Sequence, residues 1–100
     1  MIFITPATPP ACYATVARYY AIHHERGDFH TTVVTDGEYA YVSWYGVHSG
    51  GEGAFRHRGA LWCKLISAGG AMNVADLVQY GVPRPTAERL FAKMQRRRPK

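Results

Sequence analysis

The stretch Gly81-Val82-Pro83-Arg84-Pro85-Thr86-Ala87-Glu88-Arg89-Leu90-Phe91 constrains this chain more than any other. Glycine lacks a Cβ, so Gly81 closes a preceding helix in a left-handed conformation at low cost. Val82 follows as a small apolar plug. Pro83 and Pro85 suit a helix start, where a missing N–H has no intrahelical partner to lose. Ala87, Leu90, Phe91 and Met94 then recur at helical spacing, with Arg84, Glu88, Arg89 and Lys93 mostly on other faces. The spacing predicts a short helix from Val74 to Tyr80 capped by Asn73, a glycine turn, and a second helix from about Arg84 to Arg97. That is the plan of a helix-turn-helix.

Charge is placed unevenly around this segment. Residues 1–59 hold Arg18, Arg26, Arg56 and Arg58 against Glu25, Asp28, Asp36, Glu38 and Glu52, a net −1. Residues 60–100 hold Lys64, Arg84, Arg89, Lys93, Arg96, Arg97, Arg98 and Lys100 against Asp76 and Glu88, a net +6. The overall +5 is thus concentrated where the helix-turn-helix pattern lies. A clustered basic face suits phosphate contacts, whereas scattered charge serves solubility.

The strongest local signal elsewhere is Asp36-Gly37 between two apolar, β-branched and aromatic runs, Phe29–Thr35 and Glu38–Tyr45. It predicts a β-hairpin with a type I′ turn at Asp36-Gly37 and Val34 opposite Tyr39. One face then carries Phe29, Thr31, Val33, Ala40, Val42 and Trp44, the better core candidate. The other carries His30, Thr32, Val34, Tyr39, Tyr41 and Ser43, to be covered by the first helix or left as a contact surface. That first helix is expected from Ala11 to Arg26, after Thr8-Pro9-Pro10 and before Gly27. Ile2–Ile4 reads as a short strand, Gly46–Gly53 as a glycine-rich loop, and Ala54–Arg58 as a third strand. Leu61–Ser67 fits either a helix or a strand; helix is preferred because Gly69-Gly70 makes a stop.

Leu61 to Phe91 resembles the DNA-binding segment of the IclR-type bacterial repressors. Those proteins have an apolar first helix ending in a small-Gly-Gly turn, matched by Ala60-Leu61-Trp62-Cys63-Lys64-Leu65-Ile66-Ser67-Ala68-Gly69-Gly70. Their second helix is matched from Val74-Ala75-Asp76-Leu77, and their recognition helix opens on a run like Gly81-Val82-Pro83-Arg84-Pro85-Thr86-Ala87. The span from Leu77 to Gly81 is one residue shorter than the family's, and the residues after Phe91 leave no room for its two-stranded wing. The resemblance implies duplex DNA contact through Arg84, Thr86, Arg89 and Lys93. Beyond it, the basic tail with Arg96, Arg97 and Arg98 is expected to add non-specific phosphate affinity.

Other chemistries are less well supplied. His23 and His24 point apart on a helix, and His57 and Cys63 lie outside zinc-finger spacings, so no metal is implied. His30, Tyr39, Tyr41, Arg56, His57 and Arg58 contain the groups of a metal-free ribonuclease but at no motif spacing. Tyr39, Tyr41, Tyr45, His48, Arg56 and Arg58 would give a small phage or mobile-element inhibitor, anti-CRISPR-like or anti-restriction, an aromatic and arginine-rich surface for a host nuclease complex.

The apolar content of 47% argues for a folded globule, and the length for one domain, residues 1–100. No apolar run spans a membrane and the start lacks a signal peptide, so a cytoplasmic protein is expected. Cys12 and Cys63 read as buried thiols in a reducing compartment. The sequence therefore points to an α+β fold: an N-terminal helix with an antiparallel hairpin or small sheet (1–59), then a basic C-terminal helix-turn-helix (60–100). The expected function is a non-enzymatic DNA-binding regulator without cofactor. Its expected partners are double-stranded DNA, a second copy of itself, or a host protein complex.

Overall fold

The computed structural model describes residues 12–16, 30–46 and 50–97. It contains strands β1 (Cys12–Tyr13), β2 (His30–Asp36), β3 (Tyr39–Tyr45), β4 (Gly50–Arg58) and β5 (Leu61–Ala68), then helices α1 (Val74–Gln79) and α2 (Arg84–Arg97). The strands form one antiparallel sheet in the order β1-β5-β4-β3-β2. β2 to β5 thus make a meander, and β1 returns to pair on β5.

This order corrects the expected one. Cys12 and Tyr13 pair with Cys63 and Trp62, so the segment read as an opening helix starts in a strand. The remainder of that helix at 17–26, the short strand at 2–4 and Phe29 lie outside the described residues. Leu61–Ser67 belongs to β5, not to a helix. Gly59, at φ +60°, turns the chain tightly enough for β5 to fold back on β4, and the ladder then supplies the backbone partners that a helix would have found locally. The first helix of the three-helix unit is therefore absent. The glycine-rich loop also shrinks, because Gly50, Gly51 and Gly53 are part of β4. A Cβ on Gly51 would lie 2.0 Å from the Ala68 carbonyl oxygen and 2.8 Å from Trp44 Cζ2, so only glycine lets these strands approach so closely.

The hairpin forms, one residue later than expected. Asp36 pairs with Tyr39 and Val34 with Tyr41, so the turn residues are Gly37 and Glu38. Gly37 has φ +60° and Glu38 does not have a positive φ, which is the pattern of a type II′ turn and excludes type I′. Strand parity is unchanged by this shift, so each expected face keeps its described residues while every partner moves by two.

Both faces are packed. Ala40, Val42, Trp44 and Phe55 form one cluster with Val16, Tyr13, Val33 and Trp62. The tyrosine face is covered too, by the C-terminal helices: Val34, Tyr39, Tyr41 and Ala54 meet Leu77, Val82, Ala87, Leu90 and Met94. Local chemistry sets those helices as expected. Asn73 and Asp76 exchange side-chain-to-backbone hydrogen bonds of 2.9 Å in a capping box. Gly81, at φ +107°, ends α1 in a Schellman motif: its N–H donates to the Val78 carbonyl and that of Val82 to Leu77. Val82 and Leu77, both buried, make the accompanying apolar contact.

Cys12 and Cys63 form a disulfide, which replaces the expected pair of thiols and ties β1 to the sheet. They are register partners on adjacent strands, a proximity hidden by 51 residues of separation. No helix among the described residues is long and apolar enough to cross a membrane.

Candidate nucleic-acid interface

The position of α2 defines the site. Ala87, Leu90 and Met94 recur on one side of the helix and are fully buried against the tyrosine face. Phe91 stacks on Tyr41 with ring centroids 6.3 Å apart. Two polar ties then hold α2 along β2: the Arg89 guanidinium bonds the Asp36 carboxylate, and Lys93 Nζ donates to the Thr35 carbonyl at 2.6 Å. Arg89 also reaches Thr86 Oγ1 at 3.4 Å.

Among the described strands β2 is an edge of the sheet, so alternate residues turn their backbone groups away from β3. Thr35, whose carbonyl takes Lys93, is one of these, and Val33 and Thr31 follow at the same alternation. Lys93 thus covers part of an otherwise open strand edge, a common use of lysine. Beside it lies a groove of about 460 Å³ lined by Val33, Val34, Thr35, Lys93, Arg96 and Arg97. Arg96 and Arg97 are exposed in the last turn of α2, and among the described residues neither meets a carboxylate within ion-pair distance. A concave surface with clustered cations is suited to an anionic chain.

The expected contact residues separate in space. Lys93, Arg96 and Arg97 come together at the groove. Arg84 is exposed at the opposite end of α2, about 18 Å along the helix axis from Arg96. Arg89 is engaged with Thr86 and with Asp36 of the hairpin, not displayed as a reading head. Arg98 lies outside the described residues.

The expected protein-contact surface divides as well. Tyr39 and Tyr41 are buried beneath the helices, at 8% and 0% exposure, while Tyr45 stands 57% exposed. Arg56 bonds Glu38 at 3.3 Å, which raises its pKa above the ordinary value, and lies over the Tyr39 ring. Arg58 is exposed at the end of β4, and His48 lies outside the described residues. The ribonuclease set does not converge either. His30 pairs with Tyr45 at one end of the sheet, whereas Arg56 pairs with Tyr39 at the other, and His57 packs on Trp62. Among the described residues no group of acidic, histidine or cysteine side chains is placed to hold a metal.

Two features escaped the sequence reading. Glu52, on β4, is buried; its carboxylate accepts from the Tyr41 hydroxyl and, at 2.8 Å, from the Met72 N–H. It ties the segment after β5 to the sheet. The rings of His30 and Tyr45 pack with centroids 5.0 Å apart, a pairing visible only once the hairpin register is known.

Among the described residues these features define a small α+β domain: a meandering sheet with two helices on one face and a basic groove at its edge. No family model, curated protein or solved structure matches the chain.

Proposed function

We propose that this protein binds nucleic acid, taking the phosphate backbone into the groove between β2 and α2. The observation that carries this reading is the convergence of Lys93, Arg96 and Arg97 on one concavity beside an edge strand. It departs from a helix-turn-helix repressor, because the segment expected to supply the first helix is strand β5 and Arg89 faces the hairpin. Regulation of transcription is therefore no part of the reading; adhesion to a phosphodiester chain is.

Binding that neutralises the groove's cations should weaken with salt at a log–log slope of about −2 to −3. Fluorescence anisotropy with labelled oligonucleotides measures this. The double variant Arg96→Glu, Arg97→Glu should lower affinity by about tenfold or more, since each substitution reverses a charge at the phosphates. Absence of binding at low salt, or binding indifferent to the double reversal, removes the reading.

Location belongs to the same proposal. A disulfide persists in oxidising compartments, so a protein acting in the cytoplasm would carry Cys12 and Cys63 as thiols. Counting free thiols in protein taken from its native compartment decides between them.

A further inference from the structure

We propose that the ring pair of His30 and Tyr45 is a base-stacking platform, which makes the bound nucleic acid single-stranded. The inference rests on the groove reading above and adds the part that selects the strand.

Arg89 meets Asp36, Lys93 meets Thr35, and Arg96 and Arg97 line the groove with Val33 and Val34. The basic end of α2 therefore advances toward the start of β2, where His30 lies. Val33 and His30 are about 10 Å apart along the strand, a distance one extended chain can cover while touching both.

Alternate residues of β3 share a face, so Tyr39, Tyr41 and Tyr45 all stand on the side where the helices pack. The first two are buried beneath α1 and α2. Tyr45 continues the row beyond them and is 57% exposed. Its neighbour across the hairpin, His30, is also exposed, and their rings lie 5.0 Å apart at 32°. An open aromatic face in line with clustered cations is the arrangement by which proteins hold unpaired bases, since every base offers a π-face. Bases inside a duplex are already stacked on one another and cannot use such a platform.

Anisotropy with four probes tests this: oligothymidylate, an abasic phosphodiester of equal length, a duplex, and polyglutamate. Wild type should bind oligothymidylate most tightly. Tyr45→Ala should lose about ten- to a hundredfold on oligothymidylate and nothing on the abasic chain. Tyr45→Phe, which keeps the ring, should match wild type, and undiminished binding of the abasic chain by Tyr45→Ala shows that the loss is not one of folding. If Tyr45→Ala binds oligothymidylate as wild type does while the Arg96 and Arg97 reversal still weakens binding, the platform is wrong and the groove stands. Duplex bound as tightly as the single strand overturns the platform likewise. If no phosphodiester probe binds, the groove reading falls first. Tighter binding to polyglutamate than to any of them would make the partner an acidic protein.

Discussion

Arg89 of α2 forms an ion pair with Asp36, the residue that enters the hairpin turn. A residue expected to read DNA thus fastens a helix to a sheet edge. Arg89 is 57% exposed, so solvent screens the pair. Arg89→Ala should cost at most about 1 kcal/mol of stability, by denaturant titration. Its effect on oligonucleotide binding should be smaller than that of Arg96→Ala. The opposite ranking would restore α2 as a reading helix.

At Gly37 the backbone alone sets the requirement. Its φ is +60°, and a Cβ there would meet nothing within 4 Å. Gly37→Val should therefore destabilise by about 1–3 kcal/mol through conformation, not through a clash. Thermal melting measures it, and an unchanged midpoint would show that the turn is misplaced.

Gly51 presents the complementary case, with a clash against backbone. A Cβ would approach the Ala68 carbonyl oxygen to 2.0 Å, so strands β4 and β5 must separate to admit it. Gly51→Ala should cost about 3 kcal/mol, more than Gly70→Ala, where a Cβ meets nothing within 4 Å. Chemical denaturation of the two variants gives the comparison.

Glu52 and Tyr41 form a buried polar contact that also satisfies the Met72 N–H. Glu52→Leu leaves that N–H without its acceptor and should destabilise by about 1–3 kcal/mol. Glu52→Gln retains a side-chain oxygen and should lose less. Hydrogen exchange at Met72 is the local readout: protection should fall in the leucine variant and largely survive in the glutamine one.

The disulfide closes a long loop, which restricts the unfolded chain. Reduction should lower stability by about 2–4 kcal/mol, seen as a lower denaturation midpoint with reductant present. The Cys12→Ser variant should show the lower midpoint with or without reductant.

Features whose partners lie within one turn of chain were legible in the sequence. Asn73 finds Asp76, Gly81 closes α1 onto Val78 and Leu77, and the prolines and apolar spacing set α2. The basic character of the C-terminal segment is likewise composition and survives any fold. Residue alternation also assigned the two faces of the hairpin correctly, because parity does not depend on register.

The tertiary structure alone decided what depends on distant partners. Leu61–Ser67 matches helix and strand spacing equally, and it became a strand because β4 and β1 offered ladders on both sides. That pairing brought Cys63 against Cys12. Tyr39 and Tyr41 became core because α1 and α2 came to rest on their face, while Tyr45, in the same row, stayed open beyond them. Local hydrogen bonds and backbone preferences act over a few residues, so sequence can specify them. Which side chains meet across a sheet, and which cations share one groove, is set only when the packed elements choose their neighbours.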